Sequence, residues 1–95
     1  MICHIYGLSA PIAPPVDWAK RRGLFVIEDA TLALGAQVDD RPAGSWGDAS
    51  LFSFGEGKIV DVGMGGALLC DDPGLATQVQ SELDTLPPWS DRLEQ

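Results

Sequence analysis

Residues 17–29 read Asp-Trp-Ala-Lys-Arg-Arg-Gly-Leu-Phe-Val-Ile-Glu-Asp. Residues 17–22 favour a helix, and their basic end suits a helix C-terminus because cations complement the helix dipole there. Gly23 then fits the left-handed position that closes helices. Residues 24–27 form a continuous apolar run, which is typical of a strand buried on both faces of a sheet. This stretch therefore predicts a helix that leads directly into a buried strand.

A preceding strand is predicted at residues 2–6, which are apolar and β-prone and end at Gly7. Strand, helix and strand in this order form a β-α-β unit, whose strands are parallel and joined by a right-handed crossover. The predicted fold class is therefore α/β, with a mostly parallel sheet and crossover helices. Ligands of such open sheets gather at the carboxyl ends of the strands, which draws attention to Glu28 and Asp29.

The middle of the chain supplies further elements. Residues 30–34 are weakly helical and lead into a segment rich in turn-forming residues. Strands are predicted at residues 51–54 and 67–70. The segment between these two strands contains five glycines around Lys58, which predicts a flexible loop.

The C-terminal part of the chain predicts one more helix. Asp72 stands before Pro73, as in a helix N-cap followed by a first-turn proline. We expect this helix to run to about residue 86, because Pro87-Pro88 cannot continue it. Residues 1–86 are thus predicted to form one partial domain, and residues 87–95 an irregular tail.

The composition narrows the classes of function. Hydrophobic residues make up 45% and charged residues 21% of the chain, as in globular proteins. The formal net charge of -8 repels nucleic acid and anionic membranes, so we expect neither as a partner. The sequence has no apolar run long enough to cross a bilayer and no signal-peptide pattern, which predicts a cytoplasmic location.

The cysteines and the single histidine do not suggest a metal site. Cys3 and Cys70 lie far apart without a repeated spacing, so neither a disulfide framework nor a zinc site is predicted. We expect both to be buried, reduced thiols. His4 has no partner at metal-ligand spacing and is interpreted as a structural residue.

The glycine-rich segment does not match the common nucleotide-binding loops. Phe52 stands where the first glycine of a phosphate loop belongs, and Ile59 replaces the Ser or Thr that follows its lysine. A dinucleotide fingerprint that starts at Gly63 fails because Leu68 occupies its last glycine position. The presence of Lys58 in this glycine-rich segment is therefore not explained by nucleotide binding.

Asp29, Ser53 and Lys58 together suit pyridoxal 5'-phosphate. This cofactor needs an amine for a Schiff base, an acid beside its pyridinium nitrogen and donors around its phosphate. Each residue also has a simpler interpretation. Lys58 could be a surface lysine, Asp29 could cap the next helix, and Ser53 could be a small core residue.

Several phrases resemble, in order and spacing, the DegT/StrS-type sugar aminotransferases. The resemblance covers roughly residues 3–76, most of the chain. The phrases are His4-Ile5-Tyr6-Gly7, Val26-Ile27-Glu28-Asp29-Ala30, Gly35-Ala36, Gly44-Ser45-Trp46-Gly47-Asp48-Ala49, Phe52-Ser53-Phe54, Gly57-Lys58 and Gly65-Gly66.

This resemblance implies part of the large, pyridoxal-phosphate-binding domain of a fold-type-I transferase. By the same resemblance, Lys58 would hold the cofactor covalently and move the proton, Asp29 would pair with the pyridine nitrogen, and Ser53 would bind the phosphate. The implied reaction moves an amino group from an amino acid, typically glutamate, to a nucleotide-linked keto sugar. Such enzymes are typically homodimers. Relatives that run dehydrations have a histidine at the lysine position, so Lys58 favours amino transfer.

The chain also departs from the family pattern. Leu32 and Leu34 stand where the family usually has Gln and His, and Met64 replaces an acid. Family members run to several hundred residues, and Met1 precedes a strand from the middle of their large domain, so we expect a fragment that is incomplete as a catalyst. The alternative is an inactive truncated homologue or an interaction module.

Overall fold

The structure is a computed structural model that describes residues 1–4 and 11–87. These residues form two helices and six strands, in the following order. The elements are β1 Ile2–Cys3, α1 Ala13–Arg21, β2 Ile27–Asp29, β3 Gln37–Val38, β4 Arg41–Pro42, β5 Ala49–Ser53, β6 Gly66–Cys70 and α2 Pro73–Asp84.

Four of the strands form the main sheet, in the order β1-β2-β5-β6. β1 pairs parallel with β2, and β2 pairs parallel with β5. β6 is antiparallel to β5, and β3 and β4 form a separate antiparallel pair. The predicted α/β class with a mostly parallel sheet is therefore confirmed. Of the predicted first strand, the part in residues 5–6 lies outside the described residues.

α1 connects β1 to β2 and ends as its sequence predicts. Gly23 takes a left-handed φ of 66°, and its N–H bonds the carbonyl of Lys20 at 3.1 Å. The helix begins at Ala13, four residues before the predicted start at residue 17. Pro14 and Pro15 are accommodated in the first turn, where no intrahelical N–H is needed.

One face of the main sheet, here the closed face, carries Glu28 of β2 and Ser50 of β5, which are register partners and both buried. Ile2 and Val26 on this side pack in one hydrophobic cluster with α1. The cluster is formed by Ile12, Val16, Ala19, Val26 and Val38, with Ile2 and Trp46 packed against it. The core of the described chain therefore lies on the closed face.

The opposite face, here the open face, carries Cys3, Asp29, Leu51 and Ser53. Cys3 pairs with Asp29 and Asp29 with Leu51, and paired residues of neighbouring strands point to the same side. Ser53 lies two residues beyond Leu51 and so shares this side. Cys3 is exposed and the other three are half-buried, so functional groups on this face are accessible.

Residues 30–34 were predicted as weakly helical, and this prediction is wrong. The segment consists of turns closed by hydrogen bonds from Ala33 N to the Ala30 carbonyl and from Ala36 N to the Ala33 carbonyl, both 3.0 Å. The Asp29 carboxylate accepts the N–H of Thr31, which starts a turn in place of a helix.

The second strand begins later than predicted, at Ile27 rather than at residue 24. The N–H of Leu24 still bonds the Ala19 carbonyl at the end of α1, so the chain is not yet free to pair. Leu24 and Phe25 are accordingly 49% and 55% exposed.

The prediction that both cysteines are buried is wrong for the described residues. Cys3 is exposed on the open face, and Cys70 is half-buried. Cys70 ends β6, an edge strand of the sheet, and the sheet covers an edge strand on one side only. Both cysteines are unpaired.

α2 confirms the predicted N-cap. Asp72 Oδ1 accepts the N–H groups of Gly74 at 2.8 Å and Leu75 at 3.4 Å. The helix ends at Asp84, two residues before the predicted end, with Thr85 as its C-cap. Within the described ranges, neither helix has the length and hydrophobicity needed to span a membrane. The predicted tail falls mostly on residues 88–95, outside the described residues.

Candidate functional site

The three predicted site residues follow the carboxyl ends of two neighbouring parallel strands. Asp29 is the last residue of β2 and Ser53 the last residue of β5. Lys58 lies in the segment that follows β5, residues 54–65, here called the lysine loop. The structure thus brings Asp29 and Ser53 to one edge of the open face, and the lysine loop starts from the same edge.

Asp29 is held as a carboxylate. Its Oδ1 accepts the N–H of Thr31 at 3.1 Å. The pKa of Asp29 is lowered, first by the Thr31 side chain and then by the Thr31 backbone, against the opposing effect of burial. The positive charge of Lys58 lowers this pKa further, followed by the side chain of Cys3. Lys58 and Asp29 therefore lie within electrostatic reach of each other.

Ser53 keeps a proton to donate. Its Oγ accepts a hydrogen bond from Gly55 N at 3.3 Å, and a hydroxyl that accepts one bond still carries its own O–H. Ser53 is half-buried at the end of β5. The hydroxyl is therefore suited to bind an anion such as a phosphate.

The two ends of the lysine loop are hydrogen-bonded to each other. Phe54 N donates to the Gly65 carbonyl at 2.9 Å, and Val62 N donates to the Phe54 carbonyl at 3.0 Å. Lys58 N bonds the Gly55 carbonyl at 3.2 Å in a turn. The Lys58 side chain is half-buried, so it is not a fully solvated surface lysine.

Asp61 is a feature of this loop that the sequence did not reveal. Its Oδ2 accepts the N–H of Gly57 at 3.0 Å, and its Oδ1 accepts that of Gly63 at 2.9 Å. These bonds lower the pKa of Asp61, with Gly57 the larger contributor. The signal available in the sequence is an acid with one glycine four residues before it and another two residues after it.

Glu28 organises the closed face. Its side chain is fully buried, and its carboxylate accepts the N–H groups of Gly44 at 2.9 Å and of Trp46 and Gly47 at 2.8 Å each. His4 Nε2 lies 3.1 Å from Glu28 Oε1. Burial raises the pKa of Glu28, but the hydrogen bonds outweigh it and the net shift is downward.

His4 was interpreted as structural, and it is buried against this carboxylate. Glu28 was noted with Asp29 because it ends the same strand, yet its side chain points away from the open face. The alternation of side chains along a strand separates the two acids. Glu28 therefore does not belong to the candidate site.

The donor set fits pyridoxal phosphate. Asp29 offers an ionised carboxylate for a protonated ring nitrogen, and Ser53 offers a hydroxyl proton for a phosphate. Lys58 offers the amine that this cofactor requires. At the three family departures, Leu32 and Leu34 are half-buried and Met64 is 42% exposed.

The chain was compared with known proteins. The profile of the "DegT/DnrJ/EryC1/StrS aminotransferase family" matches residues 1–84. GDP-perosamine synthase from Caulobacter vibrioides is 39% identical over 80 residues, which is 84% of this chain and 22% of that protein.

Solved structures show the same relationship. A DegT DnrJ EryC1 StrS aminotransferase from Brucella abortus superposes with a TM-score of 0.80 and 30% identity, over 93% of this chain and 25% of that chain. DesI in the presence of its TDP-sugar product gives a TM-score of 0.76 and 40% identity, over 83% of this chain and 20% of that chain.

The chain spans 22% of the Caulobacter synthase, 25% of the Brucella structure and 20% of DesI. Within this shorter length the family profile accounts for all the elements from β1 to α2. The resemblance seen in the sequence is thereby confirmed, and the chain belongs to the DegT/DnrJ/EryC1/StrS aminotransferase family.

Proposed function

We propose that this chain carries the cofactor-binding centre of a pyridoxal-phosphate-dependent aminotransferase, with Lys58 as the covalent attachment point. One observation carries the proposal. An ionised carboxylate, Asp29, and a hydroxyl with a free proton, Ser53, share the open face at the ends of paired strands. The charge of Lys58 acts on that carboxylate.

Each residue has a distinct task in this proposal. When bound, pyridoxal phosphate supplies an electron sink for the bonds around the amino nitrogen. Lys58 would hold the cofactor through its amine and would move a proton at its Nζ. Asp29 keeps a proton on the ring nitrogen, because a carboxylate with a lowered pKa stabilises the neighbouring positive charge. Ser53 would donate a hydrogen bond from its hydroxyl to the phosphate.

We further propose a nucleotide-linked keto sugar as the amino acceptor and an amino acid such as glutamate as the donor. The support for the acceptor is that the relatives include a GDP-perosamine synthase and DesI, solved with a TDP-sugar product. These relatives do not favour the alternative of an inactive homologue or interaction module. A cytoplasmic homodimer, in which other parts of the protein complete the pocket, accompanies this proposal.

The test is reductive trapping on the full chain. The protein is incubated with pyridoxal phosphate and then with borohydride, and the modified residue is located by peptide mass spectrometry. We expect the pyridoxyl group on Lys58. Lys58→Ala removes it, whereas Lys20→Ala, which changes the other lysine of the chain, retains it. Equal labelling of Lys20 and Lys58 would contradict the proposal.

A further inference from the structure

The lysine loop contains a carboxylate that joins its two ends. Asp61 Oδ2 accepts the N–H of Gly57 at 3.0 Å, and Asp61 Oδ1 accepts the N–H of Gly63 at 2.9 Å. Each oxygen therefore bonds one amide, and the two amides lie on opposite sides of Asp61 in the chain. Lys58 lies between Gly57 and Asp61, inside the segment that these bonds close.

The backbone of this segment depends on the two donors. Gly57 has a φ of 79° and Gly63 a φ of 85°. Residues other than glycine rarely adopt this left-handed backbone conformation. Glycine also loses more conformational freedom on ordering than any other residue. The lysine loop contains four glycines and therefore needs specific bonds to hold one conformation, and Asp61 supplies two of them.

The Asp61 carboxylate interacts with backbone N–H groups and not with the Lys58 ammonium. Gly57 and Gly63 are the groups that lower the pKa of Asp61, while the charge of Lys58 acts on Asp29. The Lys58 backbone thus lies inside the segment that Asp61 closes, while the Lys58 charge acts on another carboxylate, Asp29. Asp61 therefore stabilises the loop backbone, while Asp29 is the carboxylate that interacts with the charge of the amine.

We propose that Asp61 is a positioning residue, which closes residues 57–63 through its two oxygens and so holds Lys58 where its amine reaches the side of Asp29. This inference rests on the proposed function of Lys58. A lysine that is already placed loses less conformational freedom when it binds the cofactor, which favours both the rate and the extent of attachment.

The first measurement concerns the loop alone. Amide hydrogen exchange of Gly57 and Gly63 is compared between the wild-type chain, Asp61→Ala and Asp61→Asn. We expect exchange at both amides to rise about fivefold in Asp61→Ala, since each loses one hydrogen bond. Asp61→Asn keeps one acceptor oxygen, so one of the two amides stays protected. Unchanged exchange in Asp61→Ala would overturn the proposal.

The second measurement concerns the lysine. The rate of borohydride-trapped pyridoxyl labelling at Lys58 is followed with free pyridoxal phosphate, and labelling of Lys20 serves as the internal reference. Asp61→Ala is expected to slow Lys58 labelling about fivefold and to leave Lys20 unchanged. Asp61→Asn gives an intermediate rate. Asp17→Asn, which removes an exposed acid from α1, labels like the wild type.

The outcomes distinguish the two proposals. If the wild type shows no labelling at Lys58, the proposed function fails, and the inference that depends on it fails with it. If the wild type is labelled and Asp61→Ala is labelled equally fast while its loop amides exchange faster, Asp61 is only a structural residue. Unchanged exchange protection of α1 amides shows that each variant is folded.

Discussion

Glu28 and Asp29 are adjacent on β2, yet their carboxylates lie on opposite faces of the sheet. Glu28 is fully buried and bonds the backbone of residues 44–47, whereas Asp29 is half-buried on the open face within reach of the Lys58 charge. The alternation of side chains in a strand produces this separation. One acid therefore maintains the fold and its neighbour is available to a ligand.

Replacing Glu28 tests whether its buried carboxylate stabilises the fold. Glu28→Gln removes the charged acceptor that three backbone N–H groups and His4 share. The new side-chain NH2 group would also face these N–H groups, which cannot accept a hydrogen bond from it. We expect the free energy of unfolding to fall by about 3 kcal/mol. Urea unfolding followed by circular dichroism measures it. Glu56→Gln, at an exposed position, is the control, and an equal effect of both would refute the role of Glu28.

Replacing Asp29 tests whether its carboxylate is available to bind a ligand. Asp29→Asn retains an oxygen for the Thr31 N–H, so we expect the free energy of unfolding to change little. The charge that would balance a protonated ring nitrogen is lost, and the dissociation constant for pyridoxal phosphate should rise about tenfold. Equilibrium dialysis measures this constant. Asp39→Asn, in an exposed turn with a φ of 47°, should leave it unchanged.

The stability of the chain should depend on pH below neutrality in a defined direction. The pKa values of Glu28 and Asp29 are lowered from ordinary values of 4.5 and 3.8. A group whose pKa is lower in the folded state stabilises that state at higher pH, and the contribution is lost as the pH falls through the folded value.

We therefore expect the urea midpoint to hold from about pH 7 to about pH 5.5 and to decrease on further acidification. Glu28→Gln should flatten this decrease. A midpoint that rises below about pH 4.5 would show that the folded-state pKa values are raised instead.

Gly47 should tolerate no side chain. A Cβ at this position would lie 2.8 Å from the Val26 carbonyl oxygen, which cannot easily move because it accepts the N–H groups of Asp48 and Ala49. We expect Gly47→Ala to lower the free energy of unfolding by about 2 kcal/mol. In Gly55→Ala the nearest atom, Ser53 Oγ, would be 3.5 Å away. Thermal unfolding of that control should differ little from wild type.

Local signals in the sequence predicted the fold well. Gly23 and Asp72 mark helix ends through bonds to their own neighbours in the chain, and such bonds are readable from residue type. The continuous apolar run before Glu28 and Asp29 placed the central parallel strand to within three residues. The position of Asp29 at a strand end follows from the same reasoning, whereas Ser53 was predicted inside a strand of residues 51–54 and is the last residue of β5.

The missed features depend on contacts that residue type does not encode. The turns after Asp29 arise because its side chain competes for a backbone N–H. The burial of Glu28 is explained by hydrogen bonds to His4 and to the amides of Gly44, Trp46 and Gly47, which are distant in the chain. The hydrogen bonds of Asp61 accompany left-handed conformations of Gly57 and Gly63, which glycine permits but does not dictate.

The division of the sheet into a closed and an open face has an evolutionary consequence. In the proposed function, substitutions near Asp29 and Ser53 would alter groups that the cofactor meets, while the packing around Glu28 and α1 on the other face would stay intact. Ligand contacts and core packing would then depend on different residues of this chain. Descendants are free to diversify in the molecules they accept without first acquiring a new scaffold.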